Sequence, residues 1–338
     1  MERWGRLALH SNNSVIVILD ETDKVIYQRK LNNDLEIILQ QLSVFVNDIV
    51  VIAIESTFNW YWLVDGLQAA GYQVKLVNTT AVQTYSGLKF TDDKHDARWL
   101  AHLLRLGILP TGYIYPKEER AVRDLLRKRS QLVQQSTTNI LSVQNILARN
   151  TARSMSAYQI KKIEDEQIEK LLDDANIVLA LKSNITIIRC LQTSIKDIET
   201  MVLKQVNLRS EFQKLLSVAG IGKILGLTIM LESGDMKRFA KVGNYSSYCR
   251  CVKSERLSNG KKKGENNRKN GNRYLAWAFI EAANFAIRYN DKIKSFYQKK
   301  KAKTNGIIAT KAVAHKLARA CYYIVKDQVP FDVNKAFA

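Results

Sequence analysis

The chain has 338 residues, 46% of them hydrophobic, and sets 52 Lys and Arg against 32 Asp and Glu for a formal net charge of +20. This composition excludes wholesale disorder, calls for more than one domain, and leaves no apolar run long enough to span a bilayer. The basic excess gathers in "KSERLSNGKKKGENNRKNGNR" and "YQKKKAKTNG", where interspersed Gly and Asn let backbone approach phosphates. Binding to nucleic acid is expected rather than to a membrane surface.

From the amino end, "WGRLAL", "SVIVILD" and "KVIYQRK" are separated by the turn-forming "HSNN" and "ETDK", which predicts three short antiparallel strands. Residues 33–46 then read as a helix with Leu35, Ile38, Leu39, Leu42 and Phe45 on one side. "DIVVIAIES" predicts a buried strand ending at Glu55, "WYWLVDGLQAAG" a helix stopped by Gly71, and "YQVKLVN" a further strand. A helix is expected from near Asp92 to Gly107. Three strands followed by alternating helix and strand is the order of an RNase H-like, RuvC-like α/β domain, assigned to residues 1–116.

Residues 117–205 contain neither Gly nor Pro. Their Leu and Ile spacing predicts two long helices, as an antiparallel hairpin or an intermolecular coiled coil. A mostly α domain is expected over 206–338. It opens with "LLSVAGIGKILGLTIMLESGDMKRF", read as a helix-hairpin-helix-like segment in which Gly220 and Gly222 free backbone amides for a phosphate. A mere helix turn is the bland alternative. Residues 253–272 read as a loop, followed by two apolar helices. The four cysteines show no CxxC pair, so reduced thiols and a cytosolic setting are expected. The first strand, interrupted by Arg6 and His10, does not read as a signal peptide.

Chemistry is suggested by acids. Glu55 ends the central strand, and Asp93 and Asp96 fall in one turn at the start of a helix. Asp92, Asp93 and Asp96 could simply cap that helix. Beside Glu55 in this strand order they also suit a hard cation such as Mg²⁺, with two ions able to polarise a phosphate.

The segments "LALHSNNSVIVILD", "VVIAIESTFNWYWLVDGLQAAGYQVKLVN", "LKFTDDKHDARWLAHLLRLGILP" and "YIYPKEERAVRDLLRKR" resemble the DEDD-type insertion-sequence transposases of the IS110 family, in its IS1111 branch. The carboxy-terminal "YSSYCRCVKSERLSNGKKKGENNRKNGNRYLAWAFIEAA" agrees. The resemblance covers almost the whole chain and implies a DNA recombinase guided by a structured bridge RNA. It also implies a RuvC-like domain, a coiled coil and a carboxy-terminal transposase domain.

On this resemblance Glu55, Asp93 and Asp96 match three of the family's four acids, and the first acid falls on Ala8. Asp20 is the alternative if the register slips. Ser258 matches the serine that links covalently to DNA, with Ser254 as its nearest competitor. This copy is therefore expected to be catalytically impaired at the Ala8 position.

Expected nucleic-acid contacts are Arg120, Arg123 and Arg127 on the first long helix, Gly220 and Gly222, and Lys261, Lys262, Lys263, Arg268, Lys269 and Arg273 around Ser258. Trp60 and Trp62 read as core residues. Structural or incidental roles are expected for His10 and His95, and His315 faces either phosphate or core. The implied partners are bridge RNA and donor and target DNA, handled by a homodimer that pairs into a tetramer in a bacterial cytoplasm. A metal-dependent nuclease for branched DNA and a non-catalytic RNA- or DNA-binding protein are the competing readings.

Overall fold

The computed structural model describes residues 2–79, 81–82, 93–206, 209–265 and 270–338, the side chains of 93–97 excepted. The chain divides into two compact units, Met1–Lys117 and Glu118–Ala338.

Unit 1 is mixed α/β. Its elements run β1 (Arg3–Leu9), β2 (Asn13–Leu19), β3 (Val25–Asn32), α1 (Leu35–Ser43), β4 (Ile49–Glu55), α2 (Tyr61–Ala69), β5 (Val74–Val77), α3 (Asp93–Arg105) and β6 (Thr111–Gly112). They form one six-stranded sheet in the order β3-β2-β1-β4-β5-β6. β2 pairs antiparallel with both β1 and β3, whereas β4 joins β1, and β5 joins β4, in parallel. The two-residue β6 at the edge has no signature in the sequence.

Alternation along β1 explains how the sheet is covered. Leu7 and Leu9 point to one face, where Ile16, Ile18, Ile52 and Ile54 meet Ile38 and Leu42 of α1 and Leu63, Val64 and Leu67 of α2. On the other face Trp4, Val51, Ala53 and Val77 meet Leu100 and Leu104 of α3, and Ala8, Val15, Val17 and Leu19 cluster with Ala101. Asp34 caps α1 by accepting from the amides of Glu36 and Ile37. Trp60 is buried and Trp62 packs against the same core, as their apolar setting predicts. The end of α3 is fastened to the β2–β3 turn, because Arg105 donates two hydrogen bonds to Asp23, at 2.7 and 2.5 Å, and His102 lies 2.8 Å from it.

Unit 2 begins with α4 (Lys117–Thr151), the short α5 (Ala157–Lys162) and α6 (Asp165–Glu169), and α7 (Ala175–Val206). Arg129 near the start of α4 pairs with Glu199 near the end of α7 at 2.7 Å, while Leu147 and Leu181 share a cluster at the opposite ends. The long helices are thus antiparallel and bury Ile140, Val143, Leu147, Leu181, Ile185 and Ile188 within one chain. The second long helix starts later than its apolar spacing suggests. A Ser156–Gln159 capping box begins α5 instead, and Ile168, whose spacing places it in the long helix, lies on α6.

The remaining elements are α8 (Ser210–Leu216), α9 (Lys223–Ser233), α10 (Val242–Tyr248), β7 (Arg256–Ser258), β8 (Lys261–Gly264), α11 (Arg273–Tyr289), α12 (Asp291–Lys303), α13 (Gly306–Lys326) and α14 (Val333–Ala336). Their core is built around Phe279, Ala282 and Ala286 of α11 and Val313, Leu317 and Cys321 of α13. All four cysteines are free thiols, and burial pushes the Cys251 thiol up to about 12. Among the described residues no helix is long and apolar enough to cross a membrane.

Candidate active site and nucleic-acid surfaces

The carboxy ends of β1 and β4 lie side by side, since Leu7 pairs with Ile54 in parallel register. Ala8 and Glu55 follow those two residues on the sheet face that α3 covers. Ala8 is 2% exposed. Two residues earlier on the same face stands Arg6, 1% exposed, and its guanidinium pairs with the Glu55 carboxylate. The rim beside them is stapled by the His10 carbonyl, which accepts from Asn33 at 2.9 Å and Asn59 at 3.0 Å. Both bonds use the His10 main chain.

Asp93 and Asp96 belong to the first turn of α3, and their side chains, like that of His95, lie outside the described residues. Asp92 lies outside them altogether. Asp20 is at the far end of the sheet from Glu55, because β2 runs antiparallel to β1 and Leu19 pairs with Trp4. Its carboxylate is spent on its own turn, accepting from Thr22 and Lys24.

Would these residues fit the metal that DEDD acids generally hold? Ala8 offers no oxygen, and Glu55 already has a permanent cation as its partner. A divalent ion ~4 Å from that guanidinium would be opposed by roughly 8 kcal/mol at an effective dielectric constant of about 20. Arg6, Ala8 and Glu55 do not fit it. The sequence carries the signal for Arg6 as a lone charge inside the apolar run "WGRLAL", but its partner is remote in the chain.

In unit 2 the segment expected to be a loop contains a β-hairpin. Asn259 and Gly260 take φ of 49° and 70°, the left-handed pair that a two-residue hairpin turn requires. Ser258 pairs with Lys261 across the hairpin, so it sits beside the turn at the exposed tip. Lys261, Lys262 and Lys263 are also exposed, whereas Ser254 precedes the hairpin and is half-buried. Arg268 and Lys269 lie outside the described residues.

The arginine stripe on α4 needs correction as a nucleic-acid surface. Arg120 and Arg123 are buried. Arg127 donates to buried Glu232 at 2.6 and 2.7 Å and stacks over the Tyr274 ring. Burial opposes its charge, but Glu232 outweighs burial and holds its pKa above the ordinary value. Asn272 completes the group by donating to Glu232 at 2.7 Å. Arg127 thereby ties α4 to α9 and α11.

Gly220 is likewise structural. At φ 85° an added Cβ would meet the Ala282 carbonyl oxygen at 2.2 Å, so this glycine lets the turn press against α11. Gly222, at the amino cap of α9, faces open space and leaves that helix's first amides accessible beside Lys223.

Sequence patterning gives no sign of a groove of about 740 Å³ between α4 and α11, lined by Lys128, Gln131, Arg273, Tyr274 and Trp277. Arg273 lies over the Tyr274 ring, and Trp277 is 39% exposed. An exposed aromatic beside cations can stack on bases while the cations meet phosphates. On α13, burial and then Arg319 and Lys316 push the His315 pKa down, so this half-buried side chain is neutral near pH 7.

Comparison with known proteins agrees for both units. Residues 9–151 match the DEDD transposase family of IS110 elements, and residues 212–298 match the Transposase IS116/IS110/IS902 family. The transposase for insertion sequence element IS1111A of Coxiella burnetii is 22% identical over 322 residues, 92% of this chain and 83% of its own length. The chain belongs to the DEDD-type IS110 transposase family. A "Probable family 20 transposase" of Pseudomonas aeruginosa is 23% identical over 250 residues, covering 70% of this chain and 71% of that protein. The DEDD match in this transposase begins at Leu9, one residue beyond Ala8.

Proposed function

We propose that this transposase is a bridge-RNA-guided DNA recombinase that exchanges strands through a covalent link to Ser258. The observation that carries the reading is the hairpin tip, where an exposed serine stands beside a tight turn and three exposed lysines. In the proposed step the Ser258 Oγ bonds to the scissile phosphorus, and the bond from phosphorus to the departing deoxyribose oxygen breaks. That oxygen leaves as a hydroxyl, gaining a proton to match the one the serine gives up. Attack by another strand's hydroxyl reverses the step and rejoins DNA without ATP.

The strand order β3-β2-β1-β4-β5 supports an RNase H-like reading of residues 1–116. The division into a helical 117–205 and a transposase domain 206–338 belongs to the same proposal. Asp93 and Asp96 are its remaining acids. Bridge RNA is the proposed cofactor, joined by Mg²⁺ in a chain with all four acids. In the present chain Arg6 takes up the charge of Glu55, and no step is assigned to a metal. The α4–α11 groove, Lys261, Lys262, Lys263, Arg268, Lys269, Arg273 and the amides after Gly222 are the proposed RNA- and DNA-binding groups.

Exchange needs more than one DNA site, hence a homodimer that pairs into a tetramer. Since the α4–α7 seam is filled within one chain, the exposed Leu141, Leu179 and Ile187 are the proposed contacts. Action on chromosomal DNA in a bacterial cytoplasm follows from this reading. A second reading, a non-catalytic RNA- and DNA-binding protein, is favoured for the present chain by Ala8 and the Arg6–Glu55 pair.

The test uses a chain carrying Ala8→Asp and Arg6→Met, with its RNA and DNAs. Denaturing gels are expected to show protein joined to nicked DNA, and Ser258→Ala to remove that adduct. An adduct that survives Ser258→Ala but not Ser254→Ala would move the nucleophile. Cleavage without any adduct would make the protein a hydrolytic nuclease.

A further inference from the structure

We infer that Arg6 is a built-in counter-charge that closes the carboxylate site to divalent metal, so that restoring an acid at position 8 does not by itself reopen it. The inference rests on reading Glu55 as one of the family's acids, but it concerns a residue that the family's acid set does not contain.

Strand alternation sends Arg6 and Ala8 to the same face of β1, roughly 7 Å apart along the strand. Among the described residues, that face also carries Trp4, Val15, Val17, Ala53 and Ala101. A guanidinium 1% exposed in such surroundings must have an anion, and Glu55 at the end of the neighbouring strand supplies it. The two changes complement each other. Ala8 removes a carboxylate from the face, and Arg6 neutralises one that remains. Carboxylates grouped at one spot repel unless a cation sits among them. In a metal site that cation exchanges with solvent and departs with a chelator. Here it is covalently part of the chain and stays protonated at every working pH.

An aspartate installed at position 8 would enter beside this fixed charge. The guanidinium's fork can hydrogen-bond two carboxylates, so Arg6 can bridge the new carboxylate and Glu55 and leave few oxygens for an incoming ion. Single reversion is then expected to give a more tightly tied site. Removing the guanidinium as well leaves two carboxylates with no cation between them, the condition under which a divalent ion binds.

The experiment needs neither nucleic acid nor Ser258, so its failure is distinct from failure of the strand-exchange reading. Mn²⁺ is titrated by calorimetry into the full-length chain as it stands, Ala8→Asp, Ala8→Asp with Arg6→Met, and the latter with Glu55→Gln. Melting curves are recorded with Mn²⁺ and with EDTA. The unaltered chain and Ala8→Asp are expected to show no Glu55-dependent binding and no shift in melting temperature. The Ala8→Asp, Arg6→Met chain is expected to bind at least about tenfold more tightly than Ala8→Asp and to be stabilised by the ion. Glu55→Gln should erase that gain. Should Arg6→Met prevent folding, Arg6→Gln keeps a donor to Glu55 without the charge and replaces it in every arm. Glu55-dependent Mn²⁺ binding by the unaltered chain overturns the inference. So does Ala8→Asp binding as tightly as the double variant, or a folded double variant that binds no Mn²⁺.

Discussion

The two places proposed to carry this transposase's chemistry are built in opposite ways. At the carboxy ends of β1 and β4 the reactive group is held inside: Arg6 is buried, Ala8 is packed, and the Glu55 carboxylate is engaged. At the β7–β8 hairpin Ser258 and its lysines are exposed, with the Asn259–Gly260 turn beside them. One place is tied by internal pairing, and the other is open to solvent.

The largest effect should come from the hairpin. In an Ala8→Asp, Arg6→Met background, Ser258→Ala is expected to abolish the covalent protein–DNA adduct with no loss of RNA affinity. One hydroxyl removed from an exposed tip is expected to alter stability by less than about 0.5 kcal/mol. A shifted unfolding midpoint for Ser258→Ala would blur the contrast between the two sites.

Arg127 sharpens the comparison within unit 2, since sequence groups it with the basic surface and structure ties it, half-buried, to the buried Glu232. Arg127→Ala strands the buried carboxylate of Glu232 and is expected to cost about 3–5 kcal/mol in urea unfolding. Its effect on the salt dependence of DNA binding should be small beside that loss, since the Arg127 charge is already matched by Glu232. Replacing Lys261, Lys262 and Lys263 by Ala should do the reverse. Stability is expected to hold, while the slope of log K against log salt falls by ~0.9 for each duplex phosphate no longer neutralised. An unaltered slope would put the DNA elsewhere.

The smallest effect concerns pH. Burial, then Arg319 and Lys316, depress the His315 pKa in the folded chain, so below about pH 6.5 the unfolded chain takes up the proton first. This group's contribution is complete above that pH and is lost as pH falls toward the depressed folded value. Melting curves from pH 7.5 to 5 are expected to drop less steeply for His315→Gln than for the parent. Equal slopes would mean that His315 is hydrated in the folded state.

Much of unit 1 is legible in the sequence because its strands and helices follow apolar periods that local chemistry bounds, with "HSNN" and "ETDK" as turns and Gly71 after α2. The antiparallel pairing of α4 with α7 is not, since an apolar seam does not say which chain fills it. The hairpin at Ser258 has the pattern of a loop, although Asn-Gly is a hairpin turn, because the flanking residues are all polar or charged and show no alternation. Arg127 misleads for a related reason: helical spacing groups charges on a face but does not say that Glu232, remote in sequence, lies under it. Ala8 and Ser258 stand out by resemblance to the family, whereas Arg6 emerges from register, which sets it on the face of Ala8 and Glu55.

Closure of the carboxylate site by Arg6 together with Ala8, with Ser258 left exposed, is what we propose for this chain. Its most direct test is adduct yield on denaturing gels, with cognate RNA and DNA, for the unaltered chain, Ala8→Asp, and Ala8→Asp with Arg6→Met. The expected result is adduct only in the last, removed by Ser258→Ala. A Ser258-dependent adduct formed equally well by the unaltered chain would contradict it.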